Sequence, residues 1–417
     1  MVRKGALVKD IRERLLNIRR DERLCHIYRE IQKSGPIAKS KVGLDLRVSK
    51  PTRYSLLNTL LDDGIIVELK NTYSKDKRQS TVDIVEGLFY SLGIDIHLKG
   101  VDLLIMDLKH KIKAYKHLPN SVDDQKNICL DSREDILERI KTGIIDLLIN
   151  NNIEKNHIIS IGISDFGMIN NSEGISIYTP HIKGWQDVPI RSIIKRILPV
   201  PIYLNRDANL MTIAEVIELQ LKNFDNLLLI SVRRGVGLGI FINGKLYQGH
   251  SGSAGEWSHT KIVSNGEKCT CGKKGCLDTV LGYGTLMKIA KTVYNDRESK
   301  IHQLVGGNEE LSPGILFQAY EIGDPSTVHQ LNEYIRILGQ QMANLFYIFD
   351  PYLFILSGYL KYCGDSFLYN LNETIKKCLP HHMEHKVQVL RGKLGLKAAS
   401  WGAAFMAQET FFTPHNN

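Results

Sequence analysis

From Gly255 to Asp278 the chain reads GEWSHTKIVSNGEKCTCGKKGCLD, and this run concentrates more chemistry than any other part of the 417 residues. Three of the seven cysteines, Cys269, Cys271 and Cys276, fall within eight residues, around glycines at 272 and 275 that permit tight turns. His259 lies ten residues before the first of them. Three thiolates and an imidazole make a soft, closed donor set. It suits tetrahedral zinc and leaves no position for a reacting water, so a structural Zn2+ at His259, Cys269, Cys271 and Cys276 is expected. The alternative is redox or nucleophilic use, which needs one activated thiolate where this run offers three at metal spacing. Cys25, Cys129, Cys363 and Cys378 are scattered, unlike a disulfide framework, and read as buried thiols in a reducing compartment.

Upstream of the run, Arg233 to Gly244 is rich in glycine and follows a strand-like segment ending at Val232. Alone it reads either as a phosphate cradle or as a tight β-turn. Strand patterns cover Tyr90–Ile96, Leu103–Leu108, Ile158–Ile163, Ile202–Leu204, Asn226–Val232 and Ile240–Ile242, the first two as a hairpin around Lys99-Gly100; Asp135–Asn150 and Leu210–Leu221 have helical period. Alternation over more than 300 residues indicates an α/β body, and the length allows two to four domains. A hydrophobic fraction of 43% and a charged fraction of 24% exclude wholesale disorder. The longest apolar stretch, Met342–Leu360, carries Asp350-Pro351 at its centre, so no membrane insertion is expected. The charged N-terminus lacks the apolar core of a signal peptide, which points to the cytoplasm.

Charge is unevenly distributed. Residues 1–90 hold 19 Lys and Arg against 12 Asp and Glu, a net of +7 of the total +9. Such a basic end suits a polyanion, or is only a solvated face. Within it Ile27, Tyr28 and Ile31 share one helical face that stops at Gly35-Pro36, a short second helix is expected over Ile37–Leu46, and Ser49-Lys50-Pro51-Thr52 opens a third. Ser49 can cap that helix, Pro51 is tolerated in its first turn, and Leu56, Leu57, Leu60 and Leu61 supply its buried face. Two β-rich segments, Ile65–Leu69 and Ser80–Val85, flank a basic tip with Lys75, Lys77 and Arg78. This order is that of a winged helix-turn-helix, with Ser49, Lys50, Thr52, Arg53, Tyr54, Lys77 and Arg78 as the expected contacts to double-stranded DNA. The alternative is a three-helix protein-interaction domain.

Together these residues resemble the ROK family of repressors, open reading frames and sugar kinases, on its transcriptional repressor branch, which holds the xylose and N-acetylglucosamine repressors. The resemblance is carried by Gly255-Glu256-Trp257-Ser258-His259 with the cysteine block through Asp278. It is supported by Gly184-Trp185-Gln-Asp-Val-Pro, Asp207-Ala208-Asn209, the Gly244–Gly249 turn and Gly402-Ala-Ala. It implies an α/β, actin-like, two-lobed fold preceded by the winged helix-turn-helix: residues 1–22 as an N-terminal helix or arm, 23–86 as the DNA-binding domain, 87–205 as lobe 1 and 206–410 as lobe 2. It also implies zinc at the four residues named above. A sugar cleft between the lobes would be lined by Arg206, Asp207, Glu256, His259 and Asp278. Here Arg206 stands where the family has Asn, Asp278 where it has Glu, and His181 where it has the Asn before Gly-Trp.

The family's kinases open with Asp-x-Gly-Gly-Thr. Asp95 is kept, but Ile96-His97-Leu98-Lys99 follows it; Arg233-Arg234-Gly235 replaces the second phosphate loop, and Ser357-Gly358 replaces a double glycine. Asp207 then marks a vestigial general-base position, and no phosphoryl transfer is expected. The resemblance thus implies a sugar-responsive repressor that binds operator DNA as a homodimer or homotetramer. Its effector is a monosaccharide or sugar phosphate, whose binding changes the spacing of paired winged helices from the one-turn separation of about 34 Å that DNA demands. A sugar kinase with a DNA-binding head, and a regulator docked to a transporter component, are the other readings.

Overall fold

The computed structural model describes residues 13, 15–69, 80–97, 99–121, 131–179, 182–221, 225–305 and 311–413. These form two compact units, one of the residues through Asn205 together with those from Ala403 onward, the other of Arg206–Gly402.

The first unit begins with the head. Residues 15–20 are helical and bury Leu15 and Ile18. Helix α1 (Glu22–Ser34) is capped by the Asp21 carboxylate, which accepts from the amides of Arg23 and Leu24. The short second helix expected over Ile37–Leu46 is not formed. Ile37–Ala38 is instead a strand, β1, paired antiparallel at Ile37↔Val82, and only single turns follow, with Gly43 at φ +66°. Helix α2 (Lys50–Asp62) starts at Ser49, whose hydroxyl accepts from the Thr52 amide at 3.3 Å, and buries Leu56, Leu57 and Leu60. Strands β2 (Ile66–Leu69) and β3 (Thr81–Ile84) complete a sheet of order β1-β3-β2. The basic tip with Lys75, Lys77 and Arg78 lies outside the described residues, as do His181 and Cys129.

The rest of this unit is a five-stranded sheet of β4 (Tyr90–His97), β5 (Gly100–Asp107), β6 (Ile112–Pro119), β7 (Ile158–Asp165) and β11 (Ile202–Arg206), in the order β11-β7-β4-β5-β6. A second small sheet holds β8 (Met168–Asn170), β9 (Ile175–Tyr178) and β10 (Gln186–Val188). One face of the large sheet buries Leu92, Ile94, Leu103 and Ile163 under helices α3 (Arg133–Asn150) and α4 (Ile190–Ile197). The other face carries small and polar residues, among them Gly162. A Cβ there would lie 1.9 Å from the Ala403 carbonyl, so the last helix sits directly on this strand.

The second unit opens with α5 (Asp207–Glu218) and a sheet containing β12 (Leu227–Val232), β13 (Val236–Ile242) and β14 (Lys245–Leu246). Of the glycine-rich segment only Arg233–Gly235 is a tight turn, joining β12 to β13, and the rest is mainly β13 itself. Gly239 lets α5 approach, because a Cβ there would meet Thr212 Oγ1 at 1.7 Å. The short helix α6 (Asp278–Leu281) precedes α7 (Tyr283–Asn295), α8 (Ile301–Leu304), α9 (Pro313–Glu321) and α10 (Pro325–Phe349). Asp350, in the left-handed region, ends α10, so the long apolar stretch is half helix and half strand β15 (Leu353–Gly358). No helix among the described residues is long and apolar enough to cross a membrane. Helix α11 (Asp365–Lys377), strand β16 (Val389–Arg391) and helix α12 (Ala398–Phe412) finish the chain, the sheet running β14-β13-β12-β15-β16.

Candidate functional sites on the head and the second unit

On the second unit, Gly255 at φ +88° passes within contact of β13 and starts the turn Glu256–His259. Lys261↔Cys276 and Lys268↔Lys274 are single antiparallel bridges that fold the cysteine loop back on itself, and the Cys269 amide donates to the Lys273 carbonyl at 2.7 Å. His259, Cys269, Cys271 and Cys276 each present one ligand atom, all within 4.8 Å of one another, so the loop could hold a metal ion. Cys269 Sγ lies 3.7 Å from His259 Nδ1, and Cys271 Sγ 3.6 Å from Cys276 Sγ. Burial and the two other sulfurs push the Cys276 thiol up to about 12. At Cys271 burial also pushes upward, but the Lys273 amide and the neighbouring thiols outweigh it and lower the thiol. Three thiolates this close repel one another unless a cation is shared among them. Of the other thiols, Cys25 and Cys363 are buried and raised by that burial, and Cys378 is half-buried.

The same unit gathers the expected sugar residues. Arg206 closes β11 and Asp207 begins α5, where its carboxylate accepts from the Ala208 amide at 2.7 Å. The Arg206 guanidinium pairs with Glu256 at 2.9 Å and donates to the carbonyls of Gly252 and Ala254, tying down the 252–256 loop. Glu256 also faces His259 Nε2 at 3.7 Å. Asp278 accepts from the Val236 amide at 2.8 Å; burial raises its carboxyl, with His259 and Arg234 pulling the other way. One contact was not anticipated in the sequence. Arg233 Nη1 stands 3.8 Å from Asp207 and is nearly buried, which places a cation against the base position. Two consecutive arginines at a hairpin tip were the available signal.

On the head, Ser49 and Lys50 are exposed, and Thr52, Arg53 and Tyr54 are half-buried. Arg53 Nη1 donates to the Val42 carbonyl at 3.1 Å, so part of its hydrogen-bonding capacity holds the preceding turn. Glu30 accepts from the Gly43 amide at 2.6 Å, and His26 pairs with Asp45 at 2.8 Å on the same turn. The exposed side of α2 continues through Ser55 and Asn58, which sequence reasoning did not select. They lie opposite Leu56, Leu57 and Leu60, and helical period alone would have found them.

The fold is thus an actin-like α/β body with a helical, winged head at its N-terminus. The family model described as "ROK family" matches residues 91–410, and the chain belongs to the ROK family. It is similar to the xylose repressor of Bacillus subtilis (strain 168), 26% identical over 389 residues, covering 92% of this chain and 94% of the relative. It is also similar to a glucokinase of Streptomyces coelicolor, 30% identical over 257 residues, covering 60% of this chain and 81% of that one. Among solved structures, a ROK family transcriptional regulator, a homolog of the E. coli MLC protein, superposes with a TM-score of 0.74 at 20% identity, covering 96% of this chain and 97% of that one. A glucokinase from Streptomyces griseus in complex with glucose and AMPPNP gives 0.65 at 24% identity, over 77% of this chain and 99% of its own. At these identities the structural likenesses speak to the fold alone.

Proposed function

We propose that this protein is a cytoplasmic, sugar-responsive transcriptional repressor that binds operator DNA through its head and performs no phosphoryl transfer. The observation that carries the reading is the solvent-facing, Ser49-capped helix α2 on the basic end of a chain whose similarity to xylose repressors runs nearly end to end, head included. The glucokinase similarities cover 60% to 74% of the chain. Lys50, Thr52, Arg53 and Tyr54 contact the duplex, with Ser49 ordering the helix start; Lys77 and Arg78 are assigned to backbone contacts. Arg206, Asp207, Glu256, His259 and Asp278 form the sugar-facing set. Carboxylates there accept from hydroxyls and so reward one stereochemistry over another.

Zinc fits the four-donor loop by the chemistry of its ligands, and one imidazole would link it to Glu256. Bound there, the ion would order the turn that carries Glu256 and take no part in a reaction. The Arg233 guanidinium stands 3.8 Å from Asp207 and faces the carboxylate at the base position, which supports loss of the kinase role. Sugar can release DNA only if it binds the DNA-free form more tightly, by the factor through which it shifts the equilibrium.

The test selects duplexes from a random pool with the full chain, then screens monosaccharides and their phosphates for release, xylose first because the similar repressors carry that name. Enrichment of a pseudo-palindrome and release by one sugar are expected. A coupled assay with ATP that gave turnover above about 1 per second would make the protein a kinase instead. Release by a membrane fraction but by no sugar would favour docking to a transporter component.

A further inference from the structure

We propose that His97, Asp102 and His117, in the first unit, form a second metal site, for a divalent first-row cation of the zinc class. The three residues come from three successive strands of one sheet. Asp102 on β5 stands directly opposite His117 on β6, and His97 closes β4. One ligand atom from each lies within 4.8 Å of the other two. The carboxylate, 3% exposed, sits between the imidazoles and offers a different oxygen to each: Oδ1 is 2.7 Å from His117 Nδ1, and Oδ2 is 3.3 Å from His97 Nε2. The two rings stack at 5.7 Å.

Two features favour a cation over a plain hydrogen-bonded trio. His97 Nε2 is buried and makes no hydrogen bond among the described residues, although Asp102 Oδ2 lies 3.3 Å away. Donors that share an ion at about 2.1 Å lie roughly 3 Å apart and aim at the ion, leaving such off-line contacts between themselves. Asp95, fully buried, also lies directly opposite Asp102 in the β4–β5 register and accepts from Ser164 Oγ at 2.7 Å, so a second carboxyl group borders the three donors. Binding through Nε2 moves the ring proton of His97 to Nδ1 and gives up the long 3.3 Å contact from the Lys99 amide. Two imidazoles and one carboxylate select zinc, cobalt or nickel over magnesium and calcium. They leave at least one coordination position for water or for an oxygen of a small ligand, unlike the closed cysteine loop.

The test titrates the metal-stripped, reduced full-length protein with Co2+ and reads its absorption spectrum. Two equivalents are expected, one with thiolate-to-cobalt charge transfer and one with d–d bands only. H117A, at a half-exposed position that tolerates truncation, should weaken only the second, beyond the roughly 10- to 100-fold that loss of an outer-shell partner costs. H97N should do the same, and C271S should abolish the charge-transfer band while sparing the second equivalent. A single equivalent bearing thiolate bands would overturn the proposal, as would a second that survives both His substitutions. Absence of the thiolate band with the second equivalent intact would count against the cysteine site alone.

Discussion

Arg53 is both a hydrogen-bond donor to the Val42 carbonyl and the best-placed guanidinium on α2. Arg53→Ala should therefore lower the stability of the head by about 1 kcal/mol, and should cost operator binding about 1–3 kcal/mol with relaxed preference at one base pair. Lys50→Ala, at the exposed helix start, should weaken all duplexes alike; equal losses on operator and random DNA for both variants, measured by anisotropy, would reject this division. His110 illustrates what sequence does not reveal. Its imidazole lies 4.7 Å from the Phe405 ring, and burial pushes it down to about 4 from the ordinary 6.5. The unfolded chain binds a proton near pH 6.5 that the folded chain refuses until about pH 4, so stability present above 6.5 is lost as pH falls, by about 3 kcal/mol. His110→Asn keeps a residue that tolerates the φ of +62° and removes the titration. Urea midpoints of the two proteins should diverge between pH 7 and 4, and parallel curves would refute the assignment. The cluster of Cys269, Cys271 and Cys276 was legible because its spacing is local, whereas His97, Asp102 and His117 meet through strand register.

At the scale of elements, the cap at Ser49 and the proline in the first turn of α2 were legible because capping is settled within four residues. The missing second helix was not. Ile37-Ala38 joins β3, far along the chain, and strand pairing at a distance overrode an ambiguous local pattern. Six strands and two helices of the body were found because their apolar runs are long, while β6, β15 and the helices from α6 to α12 were not singled out, and β13 begins at Val236 rather than Ile240, inside glycines that carry no hydrophobic signal. The buried carboxylate of Glu215 on α5 shows how one such element holds another. It accepts from Ser357 Oγ at 2.9 Å and from the amides of Lys393, Leu394 and Gly395 at 2.6, 3.2 and 3.2 Å. Glu215→Gln turns a donor toward those amides and should destabilise the second unit by about 2–3 kcal/mol, the cost of leaving a buried group unpaired. Chemical denaturation followed by hydrogen exchange at residues 392–395 checks it, and an unchanged midpoint would remove Glu215 from this role.

The basic excess of the first 90 residues set the head apart from the body in charge, but nothing in its composition said what anchors it. The anchor is the far end of the chain. Phe411 and Phe412 on α12 enter the head's core beside Leu15, Ile18 and Tyr28, with the Tyr28 and Phe412 rings 4.4 Å apart. Cys25 Sγ donates to the Phe412 carbonyl at 2.8 Å, and Arg29 donates to the Glu409 carbonyl at 3.0 Å. The head therefore draws part of its apolar burial from residues nearly four hundred positions away, a pairing that no window of sequence can display. Phe412→Ala empties a buried aromatic site and should cost about 3–5 kcal/mol, borne by the head rather than by the second unit. Amides of α1 and α2 should then exchange faster while β12 and β15 keep their protection, and operator affinity should fall with the folded fraction of the head. Tyr369→Ala, at an exposed ring, serves as the control that changes neither. Uniform loss of protection through both units would mean that the C-terminal aromatics stabilise the whole chain and not the head in particular.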